Sequence, residues 1–292
     1  MRFSSLVATS LLLISGLAQL NAQSKPACTT TIITVNATGS VAPLGINADR
    51  NVVGLFSDTG FAAHGFTWTN GVGRVFDFPG ASQSELTGIN DHGTAVGTAF
   101  NSDGSSVGFT LDKDGKTATF SVPDFFNTVA NGINNHGDIV GTAEAFGAST
   151  FNGFVKTGNV FKMIQFPGAV STIPVGINDA GVIVGTYFDG TNTRSFVSAR
   201  GKFMNFDFPG ADSTQVRGIN DQGEIVGEFR QTADAEGQGF TFKDGKFTTF
   251  TFPGAIFTEL SGVNHHGDSV GDAVTSDGVN GLSGPGFLLT CR

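Results

Sequence analysis

A ten-residue block recurs six times along the chain and limits what the chain can fold into. GINADRNVVG starts at residue 45, GINDHGTAVG at 88, GINNHGDIVG at 132, GINDAGVIVG at 176, GINDQGEIVG at 218 and GVNHHGDSVG at 262. The starts are 43, 44, 44, 42 and 44 residues apart. That period accommodates four short strands and their turns, which is one blade of a β-propeller. A second motif reads FDFPGA at 76 and 206, IQFPGA at 164 and FTFPGA at 250, with FSVPDF at 120 as its weaker copy. A third carries Phe66, Phe109, Phe154, Phe196, Phe240 and Phe287. Along one repeat, strand A runs into "GIN", strand B is "IVG", strand C holds the lone Phe and strand D is "FxFP". The expected fold is an all-β, six-bladed propeller of four-stranded blades, forming one domain over residues 23–292.

The chain starts out of phase with its repeats, and this predicts how the ring closes. Twelve residues before Gly45 lies Ile33, so Ile33-Thr34-Val35-Asn36 overlays Phe250-Thr251-Phe252-Pro253 and reads as a strand D. The last copy stops after GFLLTC, a strand C. The N-terminal strand is therefore expected to complete the last blade. Strands C and D are joined elsewhere by turn pairs such as Asn70-Gly71, Gly158-Asn159 and Asp244-Gly245. In circular register Cys28 and Cys291 both fall where that turn would be. They are expected to form a disulfide in place of the turn, which the chain-entropy model values at roughly 4–5 kcal/mol.

Composition sets the compartment and excludes some partners. MRFSSLVATSLLLISGLAQLNAQ has a basic start, an apolar run and a small residue at Ala22, so residues 1–22 read as a secretory signal peptide. The mature protein is expected to be exported, to the extracellular space or the periplasm, as a monomer with no membrane span. A net charge of −9 with no basic patch argues against nucleic acid. Apolar residues come in short runs between Gly, Asn, Asp and Pro, with no helical period. Phe is abundant at 29 against one Trp and one Tyr, which suits filler between sheets because Phe has no polar group to satisfy.

The blocks GINDxGxIVG, a strand ending His64-Gly65-Phe66 and then FDFPGA resemble the bacterial extracellular repeat of the HAF type. The resemblance spans about Ile33 to Phe287, with His64 kept in one copy only. It implies export and a propeller-like array. It implies no catalytic residues.

Motifs for chemistry are sparse. Gly104-Ser105-Ser106-Val107-Gly108 matches a nucleophile-elbow pattern but runs into a strand rather than a helix. The histidines at 64, 92, 136, 265 and 266 form no metal-binding pair. Asn36-Ala37-Thr38 is a glycosylation sequon. Asn220-Asp221-Gln222-Gly223 and its copies meet the pattern of a type I turn, with Asn first and Gly last. Asn47, Asn90, Asn134, Asn178, Asn220 and Asn264 all end the innermost strand, so they are also expected to ring the channel.

Variation concentrates in the polar B–C loops, which share a face with the D–A loops. Asp103, Asp189, Arg194, Arg230, Glu236 and Asp277 are the candidate binding residues there. No cofactor or metal is expected. The expected function is a secreted, non-catalytic scaffold that binds an extracellular glycan or protein. The alternative is a secreted hydrolase or lyase at the channel mouth, which would require several carboxylates from different blades to point at the axis.

Overall fold

The computed structural model describes residues 28–35, 39–233, 235–275 and 284–291. The expected signal peptide and the Asn36 sequon lie outside these residues. Among the described residues the chain forms strands and no helix. β1 is Cys28–Ile32. The first repeat forms β2 to β5 (Val41–Ile46, Val52–Ser57, Ala63–Thr69, Val72–Phe76). β6 to β9 follow (Gln83–Ile89, Ala95–Phe100, Ser106–Leu111, Thr117–Phe120), then β10 to β13 (Asn127–Ile133, Ile139–Glu144, Asn152–Thr157, Val160–Ile164). β14 to β17 are Ser171–Ile177, Ile183–Phe188, Thr193–Ala199 and Lys202–Asn205. β18 to β21 are Ser213–Ile219, Ile225–Arg230, Gln238–Lys243 and Lys246–Phe250. The last repeat gives β22 to β24 (Ala255–Val263, Ser269–Thr275, Gly286–Cys291).

Each repeat is an antiparallel meander, and the arrangement is a β-propeller. Four meanders are separate four-stranded sheets: β2–β5, β14–β17, β18–β21 and β22–β24 with β1. The expectation of six separate blades is corrected by the rest. β6–β9 and β10–β13 form one eight-stranded sheet. A single parallel residue pair, Asn127 with Ser106, joins them, and Ser106 Oγ donates to Asn127 Oδ1 at 3.3 Å. β1 pairs with β24 from Cys28 opposite Cys291 to Ile32 opposite Phe287, and a Cys28–Cys291 disulfide stands where other repeats turn.

The second motif is not a strand end, as its sequence suggests. Strand D stops at or just before the first residue of FDFPGA, and Phe-Pro-Gly-Ala is a turn. Ala81 N–H bonds to Phe78 O at 3.2 Å, and Gly80 has φ +86°. This is a type II turn with Pro79 second and Gly80 third, so proline serves the turn rather than an edge strand. The N–H of Phe78 is taken by Ser84 Oγ, and the same bond recurs at Val122, Phe166, Phe208 and Phe252 with Thr128, Thr172, Thr214 and Thr258. In the weaker copy Asp124 takes the glycine place at φ +68°, which costs an L-residue strain. The variant Asp124→Gly is expected to gain about 1 kcal/mol in urea unfolding.

The core lies between the sheets. The six strand-C phenylalanines are all fully buried, each contributing about 1.5–3 kcal/mol. Phe109 packs with Val53 and Leu86, and its ring lies 4.9 Å from that of Phe78. Gly97 of "VG" shows why that position is glycine. A Cβ there would stand 2.0 Å from Glu85 O and 2.7 Å from Phe109 Cζ.

Candidate functional site: a charged pocket in the channel

The innermost strands β2, β6, β10, β14, β18 and β22 line a channel. Each carries a β-bulge at the residue before "GIN": the register shifts between Pro43 and Gly45, Leu86 and Gly88, Ala130 and Gly132, Pro174 and Gly176, Val216 and Gly218, and Leu260 and Gly262. A bulge re-aims the side chain it carries. Here it sends Leu44, Thr87, Asn131, Val175, Arg217 and Ser261 into the channel wall.

The motif asparagines hold turn and ring together. Asn220 Oδ1 accepts from the N–H of Gln222 and Glu224 (3.1 and 2.9 Å), and Gly223 N–H closes the turn on Asn220 O. Asn220 Nδ2 donates to Asn264 O at 2.8 Å. Asn264 donates to Asn47 O, Asn47 to Asn90 O, Asn90 to Asn134 O, Asn134 to Asn178 O and Asn178 to Asn220 O, all at 3.0–3.2 Å. The circle is closed. Each amide spends its oxygen on its own turn and its nitrogen on the next strand. Outside this ring, Asn135 Nδ2 approaches Asp91, Asp179 and Asp221 at 3.1, 3.1 and 3.4 Å, around a narrow opening of about 60 Å³.

On the other side of the ring the channel opens into a pocket of about 190 Å³, where repeat symmetry breaks. Arg217 Nη2 lies 3.1 Å from Glu228 Oε1 on β19 and 2.9 Å from Glu259 Oε2 on β22. Ser261 Oγ donates to Glu259 Oε1 at 3.1 Å. Arg217 Nε and Glu228 Oε2 are buried without a hydrogen-bond partner. Asp272 on β23 joins the group electrostatically. Its carboxyl is pushed up to about 7 by burial, then by Glu259 and Glu228, against the pull of Arg217. Burial and Glu259 also raise Glu228, while Arg217 and Arg230 hold it back. Burial works against the Arg217 charge, but Glu259 and Glu228 outweigh it and its pKa rises. Glu85 sits at the repeat position of Glu259, and burial lifts it to about 7 despite a hydrogen bond from Thr98. Glu228 and Asp272 share one position, the residue after "VG", where the other repeats have Leu55, Thr98, Thr142 and Thr186.

Two of the six sequence-predicted loop residues, Asp103 and Asp189, serve their own turns. Asp103 Oδ1 accepts from Ser105 N–H and Oγ–H, and Asp189 Oδ1 from Thr191 and Asn192 N–H. These bonds hold both carboxyls below the usual range. Arg194 lies 3.8 Å from Asp189. Glu236 is exposed, and Asp277 lies outside the described residues. Arg230 lies over the Phe257 ring at 5.6 Å and acts on Glu228, so it is the one of these residues tied to the charged pocket. Ser106 is buried on β8 and donates to Thr128 O and Asn127 Oδ1, which leaves no nucleophile elbow. Among the described residues no three His, Cys, Asp or Glu side chains are grouped to hold a metal ion, and no helix is long and apolar enough to cross a membrane.

With four-stranded meanders around a channel and a charged pocket inside it, the chain defines itself as a β-propeller. No family model matches it, and no curated protein matches it by sequence. Solved structures do. A streptogramin B lyase is 13% identical over 91% of this chain and 98% of that one, with a TM-score of 0.55. Aleuria aurantia lectin, in complex with Fucalpha1-6GlcNAc, is 13% identical over 82% and 89%, with a TM-score of 0.51. At this identity the likeness establishes the fold alone.

Proposed function

We propose that the chain is an exported, HAF-type propeller that binds the end of an extracellular glycan in the Arg217 pocket. In this reading the eight-stranded sheet counts as two blades, which makes six. The observation that carries it is the break in symmetry: Arg217 and Glu259 line the pocket, backed by Glu228 and Asp272, at positions where the other repeats carry mostly apolar or small polar residues. The pocket sets polar groups (Thr87, Asn131, Arg217, Glu259, Ser261) among aliphatic walls such as Leu44, Ile46 and Val175, which suits a ligand with both hydroxyls and an apolar face. The loops of Asp103, Asp189, Arg194, Arg230 and Glu236 are proposed as the rim met by the rest of a longer glycan. The test is a glycan array and calorimetry on the disulfide-bonded protein, alongside the variant Leu44→Trp. That substitution fills the pocket from an uncharged wall and is expected to weaken binding more than tenfold. Binding that survives it would place the ligand elsewhere and sink the reading.

The second reading, a hydrolase or lyase, is favoured by Asp272, whose carboxyl stands with Glu228 and Glu259 around Arg217 behind the pocket wall. A carboxyl held near 7 can give or take a proton at neutral pH. It requires product to form from a bound oligosaccharide and the variant Asp272→Asn to abolish it. A ligand that binds and is recovered unchanged removes this reading.

A further inference from the structure

One position of the repeat fills the gap between neighbouring repeats, and it fails once. The second residue after each strand-C phenylalanine is Trp68, Leu111, Lys156, Ser198, Phe242 or Leu289. It meets the first residue of the preceding "FxFP" segment. Trp68 shares a core cluster with Ile33, Leu111 with Phe76 and Leu289 with Phe250. Lys156 lies over the Phe120 ring at 5.1 Å, and the Phe242 ring stands 5.1 Å from that of Phe206. The remaining pair, Ser198 with Ile164, is the smallest of these, and there a cavity of about 620 Å³ opens between the third and fourth repeats.

The next repeat shows what fits such a place. The Phe242 ring there lies 5.1 Å from Phe206 and 4.7 Å from Phe247. The matching neighbours of Ser198 are Ile164 and Phe203, with Phe203 opposite Ser198 across β16 and β17. Val155, Ile177 and Ile183 continue the apolar wall. Lys162 and Arg200 stand at its exposed edge, and among the described residues neither is in an ion pair. The one carboxylate of the lining, Asp138, accepts from Asn134 Nδ2 at 3.3 Å. A largely apolar cavity of this size with a few polar groups is the usual form of a small-molecule site.

We infer that this cavity binds a small aryl carboxylate. Its ring takes the place that Phe242 holds one repeat on, and its carboxylate meets Lys162 and Arg200, two cations against one engaged carboxylate. The site is separate from the Arg217 pocket and does not rest on the glycan reading. An unfilled apolar hole costs a fold stability. Leucine at the same place in two other repeats shows that the frame accepts a larger side chain, so the serine leaves room that the scaffold does not require.

The test is calorimetric titration of the intact protein at neutral pH with phenylacetate, phenylethanol and phenethylamine. Phenylacetate is expected to bind about fivefold tighter than phenylethanol, the upper range for an exposed ion pair, with phenethylamine weakest. Ser198→Leu is expected to abolish binding of all three and to raise the urea midpoint, which also shows that the variant folds. The double variant Lys162→Met/Arg200→Met is expected to erase the preference for the acid over the alcohol. Leu44→Trp, which fills the channel pocket, is expected to change none of this, so failure here and failure of the glycan reading are told apart. No binding of phenylacetate to the wild type, or binding unchanged in a folded Ser198→Leu variant, overturns the inference. Equal affinity for phenylacetate and phenylethanol overturns the carboxylate. The acid preference is read on the wild type, so a variant that fails to fold does not decide the outcome.

Discussion

The double variant Cys28→Ser/Cys291→Ser is expected to lose about 4–5 kcal/mol of unfolding free energy relative to the oxidised protein. The bond joins residues 263 apart in sequence, so nearly the whole unfolded chain is constrained by it. The folded side of the balance points the same way. All five residues of β1 are exposed, and β24 is the one strand it pairs with. Yet the residues that follow it, Ile33 and Val35, are buried with Val52, Phe66, Trp68 and Leu288, where the last sheet meets the first. Without the disulfide, they are held by an exposed edge strand, the Ile33 N–H bond to Gly286 O and their own burial. Urea unfolding of the variant, and of the wild type with reductant, should show the same fall in midpoint. A loss below about 1 kcal/mol would mean that strand pairing closes the ring by itself.

Replacing Arg217 by methionine is expected to cost about 2–4 kcal/mol at pH 8 and far less at pH 4. Removing one partner of a fully buried ion pair costs about 3–5 kcal/mol. Arg217 is 35% exposed, so solvent screening lowers that figure. The pH dependence follows from the carboxyls left behind. Glu228 and Asp272 already have folded pKa values above their unfolded ones. For Asp272 the folded protein holds more protons between the unfolded value near 4 and about 7, and Glu228 acts in the same direction, so stability falls as pH rises through that window. Loss of Arg217 removes a pull that favours their charged forms, which deepens the fall. At pH 4 both are largely neutral and the cost shrinks. Thermal melts of the variant and wild type across pH 4–8 test this; a gap that stays constant with pH would show that Arg217 acts through packing rather than charge.

The repeat made the architecture legible because six copies at fixed spacing average out local ambiguity. The closing strand and the cysteine pair followed from register alone. Strand D was misread at FDFPGA because alternating phenylalanines look like a strand. Ser84 and its threonine counterparts capture the backbone N–H instead, and Pro-Gly folds the segment into a turn. The fusion of β6–β9 with β10–β13 was not legible, since it rests on Asn127 meeting Ser106. The charged pocket was present in the sequence as departures from the repeat. Glu259 stands where Val129 and Ile173 stand, Glu228 where Thr142 stands, and Arg217 where Val175 stands. Reading them as a site required knowing that a bulge turns the residue before "GIN" to the axis. The loop carboxylates drew attention because they are polar and variable, but Asp103 and Asp189 spend that polarity on their own turns.

The asparagine circle behaves as a hoop. It has no first or last member: each turn is tied to the next by one amide, and the sixth is tied to the first. The hoop links the ends of all six inner strands and stands between the acidic opening and the charged pocket. The pocket can therefore diverge from repeat to repeat without disturbing the frame that holds it, because the amides that close the frame are not the side chains that line the pocket.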